Sequence, residues 1–402
     1  MLLAALVWLL LASLLWRTAV PANLQLPPVD VEAVFGRRAV ERAADYRRLL
    51  RLLWLGLAAA QLTALWLLVR AATRLEARLR GGSLLRGIQL GLVSVALLWA
   101  VWLPFGLASL WWRRRHDISR LGYADLVLDP WPRYLGEALV TAGAVALAMV
   151  LARRLGRRWW LVGGPAFVVL VGGALVLTPL VLSPRLAPLQ DRRLAAQIEQ
   201  MARQEGVGKV RVEVENASRR TTLPNAEAIG VGPTTRVVLW DTLLDGRFSR
   251  GEIRFISAHE LGHVGRDHLW KGIGWFALFA LPSAWLLASL TDRRGGIDRP
   301  SVVPFAVFVV VAIQLALQPA ANVVSRRYEA EADWVALRTT RDPRAAESLF
   351  RKLSTTALDQ PDPPPWVHVL LSTHPSLADR VAMARAWDAR ATRGEEAPRA
   401  GS

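Results

Sequence analysis

The sequence H-E-L-G-H at residues 259–263 carries the residue types and the spacing of a metal-binding helix. A separation of four residues places the imidazoles of His259 and His263 on one helix face, one turn apart, where both rings can bind one zinc ion. Glu260 then stands beside the metal as a general base for a water molecule. We therefore predict a helix over residues 251–267 and one catalytic Zn²⁺. Two histidines packed on an amphipathic helix are the alternative without a metal.

A catalytic zinc ion needs three protein ligands and one open position, so one ligand must come from another segment. Within residues 322–337, Glu329 and Asp333 are four residues apart and share one helical face. We expect Glu329 to bind the metal and Asp333 to accept a hydrogen bond from a ligand imidazole, which fixes the tautomer of that ring. Glu331 is expected to point away from this face. The alternative for these acids is a solvated helix surface, or pairing with the two arginines that precede them.

The composition indicates a membrane protein. The chain has 402 residues, of which 53% are hydrophobic, and a formal charge of +17, which excludes disordered and fibrous proteins and disfavours an ordinary soluble domain. A basic charge can indicate nucleic-acid binding. In so apolar a chain, arginine-rich loops against anionic lipid headgroups explain it better, so we expect a lipid bilayer and no nucleic acid as partner. The sequence contains no cysteine, which excludes disulfides, cysteine-ligated zinc and a thiol nucleophile.

Seven apolar stretches approach the roughly 20 residues that a membrane-spanning helix needs. The predicted spans are residues 2–20, 52–69, 87–112, 135–152, 159–182, 272–290 and 302–324. A signal peptide is the alternative for the first stretch, but Pro21 at the place of a cleavage motif favours an uncleaved helix. With seven spans, the loop 183–271 and the chain after residue 324 share one side. The arginine distribution places that side in the cytoplasm and the N-terminus outside, in a bacterial-type inner membrane.

Between residues 183 and 257 the composition changes to that of a small α+β domain. The patterns predict a helix over 194–205 and strands over 210–214, 226–231 and 236–240. Three helices are predicted after the last span, over 326–339, 344–358 and 376–390, with a loop over 359–366. The predicted fold is mainly α: a seven-transmembrane-helix integral membrane protein with a small α+β zinc metalloprotease domain. Its predicted parts are spans one to five (1–182), the zinc domain (183–271), spans six and seven (272–324), a C-terminal catalytic segment (325–391) and a frayed tail (392–402).

Four motifs taken together resemble one known family across essentially the whole chain. They are H-E-L-G-H followed by His268, S-R-R-Y-E-A-E-A-D at 325–333, P-N-A at 224–226 before the strand that ends V-V-L-W-D-T-L-L, and T-H-P-S-L-A-D-R at 373–380. The chain thereby resembles the type I CAAX prenyl proteases, integral-membrane gluzincins, with the membrane protease HtpX as a shorter relative. The resemblance implies a membrane-embedded zinc endopeptidase whose helices enclose a water-filled chamber.

The resemblance also implies roles for individual residues. His259, His263 and Glu329 are implied to be the zinc ligands, and Glu260 the base and proton shuttle. The other implied positions are the oxyanion-stabilising His374, the supporting residues Asp333 and Arg380, Asn225 beside the substrate, and the substrate-binding strand Ala226, Glu227, Ala228, Ile229 and Gly230. His268 follows His263 by five residues, whereas the third histidine of metzincins follows by six, so we predict that His268 is not a ligand.

The predicted activity is hydrolysis of peptide bonds by water that zinc activates, on a peptide or protein substrate. Eukaryotic relatives remove C-terminal tripeptides from prenylated CAAX proteins, whereas HtpX-like relatives degrade misfolded membrane proteins, and the sequence does not choose between lipidated and membrane-inserted substrates. A non-catalytic zinc-binding membrane scaffold and a transporter are the alternatives of other classes. The intact Glu260 argues against the scaffold, and a transporter needs no zinc triad. No feature of the sequence indicates an oligomeric state.

Overall fold

A computed structural model describes residues 2–181 and 186–395 of the protein. The predicted boundary at residues 182 and 183 and the tail after residue 395 therefore lie outside the described residues. The helices are α1 (Leu2–Leu15), α2 (Val31–Phe35), α3 (Arg37–Glu76), α4 (Ser83–Arg115), α5 (Tyr123–Leu128), α6 (Trp131–Leu155), α7 (Trp160–Val181), α8 (Arg192–Gln204), α9 (Arg250–Gly265), α10 (His268–Asp292), α11 (Val303–Thr340), α12 (Pro343–Thr356), α13 (Pro365–Leu370) and α14 (Leu377–Thr392).

Six of the described helices are long and apolar enough to cross a membrane, namely α3, α4, α6, α7, α10 and α11. They correspond to the predicted second to seventh spans and confirm an integral membrane protein. Large apolar side chains on them face outward; Leu139 is 64% and Val169 is 74% exposed. Such exposure suits contact with lipid chains rather than water.

The first predicted span differs from the structure. Helix α1 has 14 residues, or about 21 Å at 1.5 Å per residue, which is shorter than the roughly 30 Å hydrocarbon core. Its helix ends at Leu15 instead of continuing to Val20, because the chain there turns onto α11. The Tyr328 hydroxyl donates to the carbonyl of Leu15 at 3.0 Å, and Arg327 Nε donates to the carbonyl of Trp16 at 2.6 Å.

Helix α11 joins the membrane to the soluble part. The predicted span 302–324 and the predicted helix 326–339 form one continuous helix of 38 residues. Between residues 322 and 340 the sequence contains neither proline nor glycine, so the backbone hydrogen bonds continue without interruption. The predicted domain boundary at residues 324 and 325 therefore falls inside one continuous helix, which carries Glu329 in its second half.

The predicted α+β part is confirmed as a four-stranded sheet packed on helices. Its strands are β1 (Leu186–Pro188), β2 (Arg211–Glu215), β3 (Ala226–Ile229) and β4 (Arg236–Trp240), in the spatial order β1-β2-β4-β3. Strands β2 and β4 are parallel, and the outer strands pair antiparallel. One buried core joins the sheet to α8, α9, α11, α12 and α14, with Ile198, Phe255, Trp334 and Leu349 among its members.

Strand β3 lies at the sheet edge and is shorter than predicted. The prediction extended to residue 231, but the strand ends at Ile229. Gly230 has φ +92°, and a Cβ there would lie 2.4 Å from the carbonyl oxygen of Thr234. Only glycine fits this turn, so Gly230 ends the strand.

The segment after α1 packs against the same core. Val20, Leu24, Val29 and Val31 contact it, and Phe35 is one of its buried members. Along the chain, four of the six long helices follow this segment and precede the sheet, namely α3, α4, α6 and α7. Four helices that are each long enough to cross a membrane once are an even number, which agrees with the packing of this segment and the sheet in one core.

Candidate metal centre

Helix α9 presents the H-E-x-x-H sequence because both of its ends are fixed. At its start, Ser249 Oγ accepts a hydrogen bond from the Glu252 N–H (3.3 Å), and Glu252 Oε2 accepts one from the Ser249 N–H (2.6 Å). This reciprocal capping satisfies backbone donors of the first turn. After its end, Asp267 has φ +57°, which turns the chain directly into α10.

Gly262 allows α9 to lie against α11. A Cβ at Gly262 would lie 3.3 Å from the Cα of Ala332 and 3.3 Å from Cβ of Val335, so a larger residue would force the two helices apart. This close approach brings the histidines of one helix to the carboxylates of the other. The glycine of the motif therefore has a packing role that its position in H-E-L-G-H does not reveal.

The three predicted metal ligands converge. One ligand atom from each of His259, His263 and Glu329 can be chosen so that all lie within 4.8 Å of one another. Nε2 of His259 is 3.1 Å from Nε2 of His263 and 3.2 Å from Oε2 of Glu329, and Nε2 of His263 is 3.5 Å from Oε1 of Glu329. Ligand atoms about 2.1 Å from a tetrahedral zinc ion are about 3.4 Å apart. The separations therefore fit a single small cation.

A buried oxygen supports this fit. Oε2 of Glu329 is buried and accepts no hydrogen bond of good geometry from any described residue, although Nε2 of His259 and Nε2 of His374 lie 3.2 and 3.1 Å away. An unsatisfied buried carboxylate oxygen is costly unless a cation accompanies it. Two imidazole nitrogens and one carboxylate oxygen are a donor set that zinc binds in catalytic sites.

Asp333 and Arg380, which the sequence predicts as supporting residues, lie beside His259. Nδ1 of His259 lies 2.9 Å from Oδ1 of Asp333, and Arg380 donates to both oxygens of that carboxylate at 2.7 Å. Since a carboxylate only accepts, the proton of His259 is on Nδ1, and Nε2 offers its lone pair to the site.

The electrostatics favour a positive charge between the ligands. Burial lowers the pKa of His259, but the hydrogen bond with Asp333 and the nearby negative charge of Glu329 outweigh it and raise that pKa to about 10. For His263, burial and the neighbouring His259 lower the pKa to about 3, which keeps this imidazole neutral. A divalent cation would supply the charge that the carboxylates attract and would displace the proton from His259.

Glu260 lies between the ligands and strand β3. Its Oε2 accepts a hydrogen bond from the N–H of Ala228 at 3.3 Å. Burial, followed by the repulsion of Glu329 and partly opposed by His259, raises its pKa to about 7, close to the value at which a general base works best near neutral pH. Asn225 directly precedes β3, and Ala226 to Ile229 form this edge strand. The strand predicted to bind substrate is thus adjacent to the predicted base.

His374 reaches the site from the loop before α14. Its Nε2 is 3.1 Å from Oε2 of Glu329, and its side chain is 55% exposed. Thr373 Oγ1 lies 3.0 Å from Nδ1 of His374; when the hydroxyl donates, the ring carries its proton on Nε2 and directs that N–H into the site. Burial lowers the pKa of His374, so a neutral donor is favoured. The motif T-H-P-S identified His374 but gave no role to Thr373.

The sequence interpretation missed the surroundings of His268 and Glu331. His268 is not in the ligand group, as predicted, but its Nδ1 lies 2.9 Å from Nδ1 of the ligand His263. Glu331 does point away from the ligand face, yet it is only 2% exposed and lies 3.1 Å from Nε2 of His268. The sequence contained two signals: a carboxylate two residues after Glu329, and a third histidine shortly after the end of α9. Only the tertiary contact shows that the two residues belong together.

The sequence is similar to that of known proteins. The family model of peptidase family M48 matches residues 188–388. The chain is 29% identical over 247 residues to the uncharacterized metalloprotease YhfN of Bacillus subtilis, covering 58% of this chain and 57% of that protein. It is 27% identical over 239 residues to a CAAX prenyl protease 1 homolog of Oryza sativa subsp. japonica, covering 55% and 56%. It is also 28% identical to a protease HtpX homolog of Kineococcus radiotolerans, covering 49% of this chain and 78% of that protein.

The fold has a counterpart among solved structures. The crystal structure of S. mikatae Ste24p superposes with a TM-score of 0.63 and 19% identity, over 94% of this chain and 96% of that one. The chain spans slightly more than half the length of the first curated relatives, 57% and 56%. The family match begins at the last residue of β1 and covers β2, β3, β4, α9, the whole of α11 and most of α14. The resemblance drawn from the motifs is confirmed, and the chain belongs to peptidase family M48.

Proposed function

We propose that the protein is a membrane-embedded zinc metalloendopeptidase that hydrolyses peptide bonds in the manner of the CAAX prenyl proteases. The observation that carries the proposal is the position of Glu260. It lies between an edge strand and three converging ligand atoms from α9 and α11, with its pKa raised to about 7 by burial. A scaffold that only binds a metal has no use for a base poised in this way.

His259, His263 and Glu329 would hold the zinc ion. When bound there, zinc acts as a Lewis acid that lowers the pKa of water and polarises a carbonyl. The Nε2 atoms of both histidines and the carboxylate of Glu329 face one point, and Asp333 keeps the lone pair of His259 directed at it. The packing of α9 and α11 in one buried core brings these atoms together.

Glu260 performs the proton transfers. In the carboxylate form it accepts a proton from the attacking water, and as the acid it passes that proton to the leaving amine. His374 directs its Nε2–H toward the same space and donates to the oxyanion that develops on the substrate carbonyl.

The substrate adds to the sheet as a further strand. Among the described strands, β3 pairs with β4 alone, so its outer edge is available for an extended peptide. Residues Ala226, Glu227, Ala228, Ile229 and Gly230 would line this edge, with Asn225 at its start. Because Ala228 also contacts Glu260, a peptide bound along β3 places a carbonyl next to the base.

The substrate is a peptide or protein that reaches the site from the bilayer. Relatives include proteins named CAAX prenyl protease 1 and others named HtpX, so prenylated C-termini and membrane-inserted chains are the two substrate classes to compare. We place the metal centre on the cytoplasmic side of a bacterial-type inner membrane, because the arginine-rich loops predominate on that side.

One experiment tests the reaction and the substrate class. Wild-type protein in detergent is incubated with a prenylated CAAX peptide and with the same peptide without the lipid, and the products are identified by mass. Glu260→Gln is expected to retain zinc and lose cleavage. Glu347→Gln serves as the control, because the Glu347 carboxylate is outside the site. It pairs with Arg385, whose Nη2 lies 2.9 Å from its Oε1.

The outcomes separate the candidate functions. Cleavage of the prenylated peptide alone supports the prenyl protease class, and cleavage of both peptides supports broader proteolysis. Full activity in Glu260→Gln would refute the mechanism. A wild-type protein that holds zinc but cleaves neither these peptides nor an unfolded membrane protein would support the scaffold.

A further inference from the structure

His268, the first residue of α10, occupies a buried position between a metal ligand and a carboxylate. Its side chain is 5% exposed. Nδ1 lies 2.9 Å from Nδ1 of His263, and Nε2 lies 3.1 Å from Oε2 of Glu331. The ring of Tyr328 stacks on the imidazole with a centroid distance of 4.6 Å and an interplanar angle of 16°. The ring therefore cannot rotate without losing both polar contacts and the stacking.

The chemistry of the three groups determines where the protons lie. A carboxylate only accepts, so His268 donates from Nε2 to Glu331. In the neutral imidazole the other nitrogen, Nδ1, is then an acceptor, and it accepts a hydrogen bond from Nδ1–H of His263. His263 consequently presents an unprotonated Nε2 to the site, which is the atom that lies 3.5 Å from Glu329.

Glu331 is itself held firmly, which makes it a suitable end for this chain. Its Oε1 accepts a hydrogen bond from the N–H of Ala19 at 2.7 Å. Lys271 Nζ is 3.7 Å from Oε2 and Arg266 Nε is 3.9 Å from Oε1. Two cations compensate the charge of a carboxylate that is only 2% exposed, as a buried charge requires.

The two ligand histidines differ in their support. His259 is 7% exposed and contacts Asp333 directly, whereas the His263 side chain is 25% exposed. The described Nδ1 partner of His263 is His268. Removing that partner would leave His263 free to adopt other rotamers and the other tautomer, while His259 would keep its own support.

We propose that His268 is a positioning residue for the metal: it fixes the tautomer and orientation of His263, and Glu331, anchored by the segment that follows α1, fixes His268 in turn. This inference rests on the proposed zinc-binding function. It assigns a role in metal retention to the start of α10 and to the segment after α1, which contribute no ligand themselves.

The test compares two replacements of His268 in the full-length protein. His268→Leu keeps much of the volume but removes both polar contacts. His268→Gln keeps one acceptor and one donor on a planar group. His116→Gln is the control, because His116 is a partly buried histidine outside the metal centre. Its ring lies 4.2 Å from the ring of Trp112 at an angle of 58°, and its Nδ1 contacts the Trp112 carbonyl. Zinc affinity is measured by competition with a chelator, and the metal-free proteins are compared by their melting temperatures.

We expect His268→Leu to bind zinc about 10- to 100-fold more weakly, the usual cost of losing the partner of a ligand histidine. His268→Gln should recover most of that affinity, and His116→Gln should equal the wild type. The visible spectrum of the Co²⁺-loaded protein should change in His268→Leu and return in His268→Gln. A purely structural role would not produce this recovery.

Equal zinc affinity in wild type and His268→Leu would overturn the inference. So would a His268→Gln protein as weak as His268→Leu, since packing alone would then explain the loss. If His268→Leu does not fold, Glu331→Ala is measured instead; it leaves the ring of His268 in place, and unchanged zinc affinity would again contradict the proposal. A wild-type protein that binds no zinc would overturn the proposed function itself, which distinguishes the two failures.

Discussion

Replacing Gly262 by alanine tests whether the contact between α9 and α11 sets the metal site. The new Cβ would lie 3.3 Å from the backbone Cα of Ala332 and 3.3 Å from both Cβ and Cγ1 of Val335, closer than ordinary van der Waals contact. Neither neighbour can move easily, because Ala332 is 0% and Val335 1% exposed and one of the close atoms is backbone. The helices must therefore separate by a few tenths of an ångström.

The expected magnitude follows from two opposing terms. Overpacking costs about 1–3 kcal/mol, and alanine gains about 1 kcal/mol of helix propensity over glycine. The metal-free protein can release the strain by letting α9 and α11 separate, whereas the metal-bound protein must keep His263 and Glu329 together. Most of the strain should thus appear as weaker metal binding. The propensity gain is the same with and without the metal, so it cancels in binding. An overpacking cost of about 1–3 kcal/mol then corresponds to a zinc dissociation constant about 5- to 150-fold higher.

The assay is zinc competition with a chelator, together with the melting temperature of the metal-free protein in detergent. Gly272→Ala on α10 is the matched control, since nothing lies within 4 Å of its added Cβ. It should keep wild-type zinc affinity. If Gly262→Ala binds zinc within twofold of the wild type, the close approach of the two helices does not position the ligands, and the reasoning is wrong.

Three further predictions concern the support of the site. Asp333→Asn leaves Arg380 buried without its charged partner, so the free energy of unfolding should fall by about 3–5 kcal/mol, and the double variant with Arg380→Met should lose less. His374→Ala should lower kcat about 10²- to 10³-fold with unchanged zinc content by elemental analysis; unchanged kcat would remove His374 from the mechanism. For Glu252, burial raises the pKa, but hydrogen bonds from Lys352, Ser348 and Ser249 outweigh it and lower that pKa below 4.5. Because the folded-state pKa is depressed, this carboxylate stabilises the fold above pH about 4.5 and loses that effect as the pH falls through the folded-state value. Glu252→Gln should therefore melt several degrees lower at pH 7, and the difference should narrow in acid; a difference independent of pH would contradict this.

The sequence by itself determined the membrane character and which residues are candidate metal ligands. Six long spans follow from local apolar length, since a helix in lipid satisfies its backbone internally wherever the chain is apolar enough. His259 with His263, and Glu329 with Asp333, share helix faces because of a spacing of four residues. These are properties of single helices, so they can be inferred without knowing what the helices touch.

The tertiary structure decided everything that depends on contact between distant segments. The end of α1 at Leu15 follows from hydrogen bonds to α11, and the end of β3 at Ile229 follows from a turn that only Gly230 can adopt. From the sequence, Glu331 is only a residue on the far face of its helix. The structure shows that His268 of α10, 63 positions earlier in the chain, contacts it there. Periodicity shows which residues share a helix face, but it contains no information about which faces pack against each other. The residues that support the candidate metal centre are brought together by such packing.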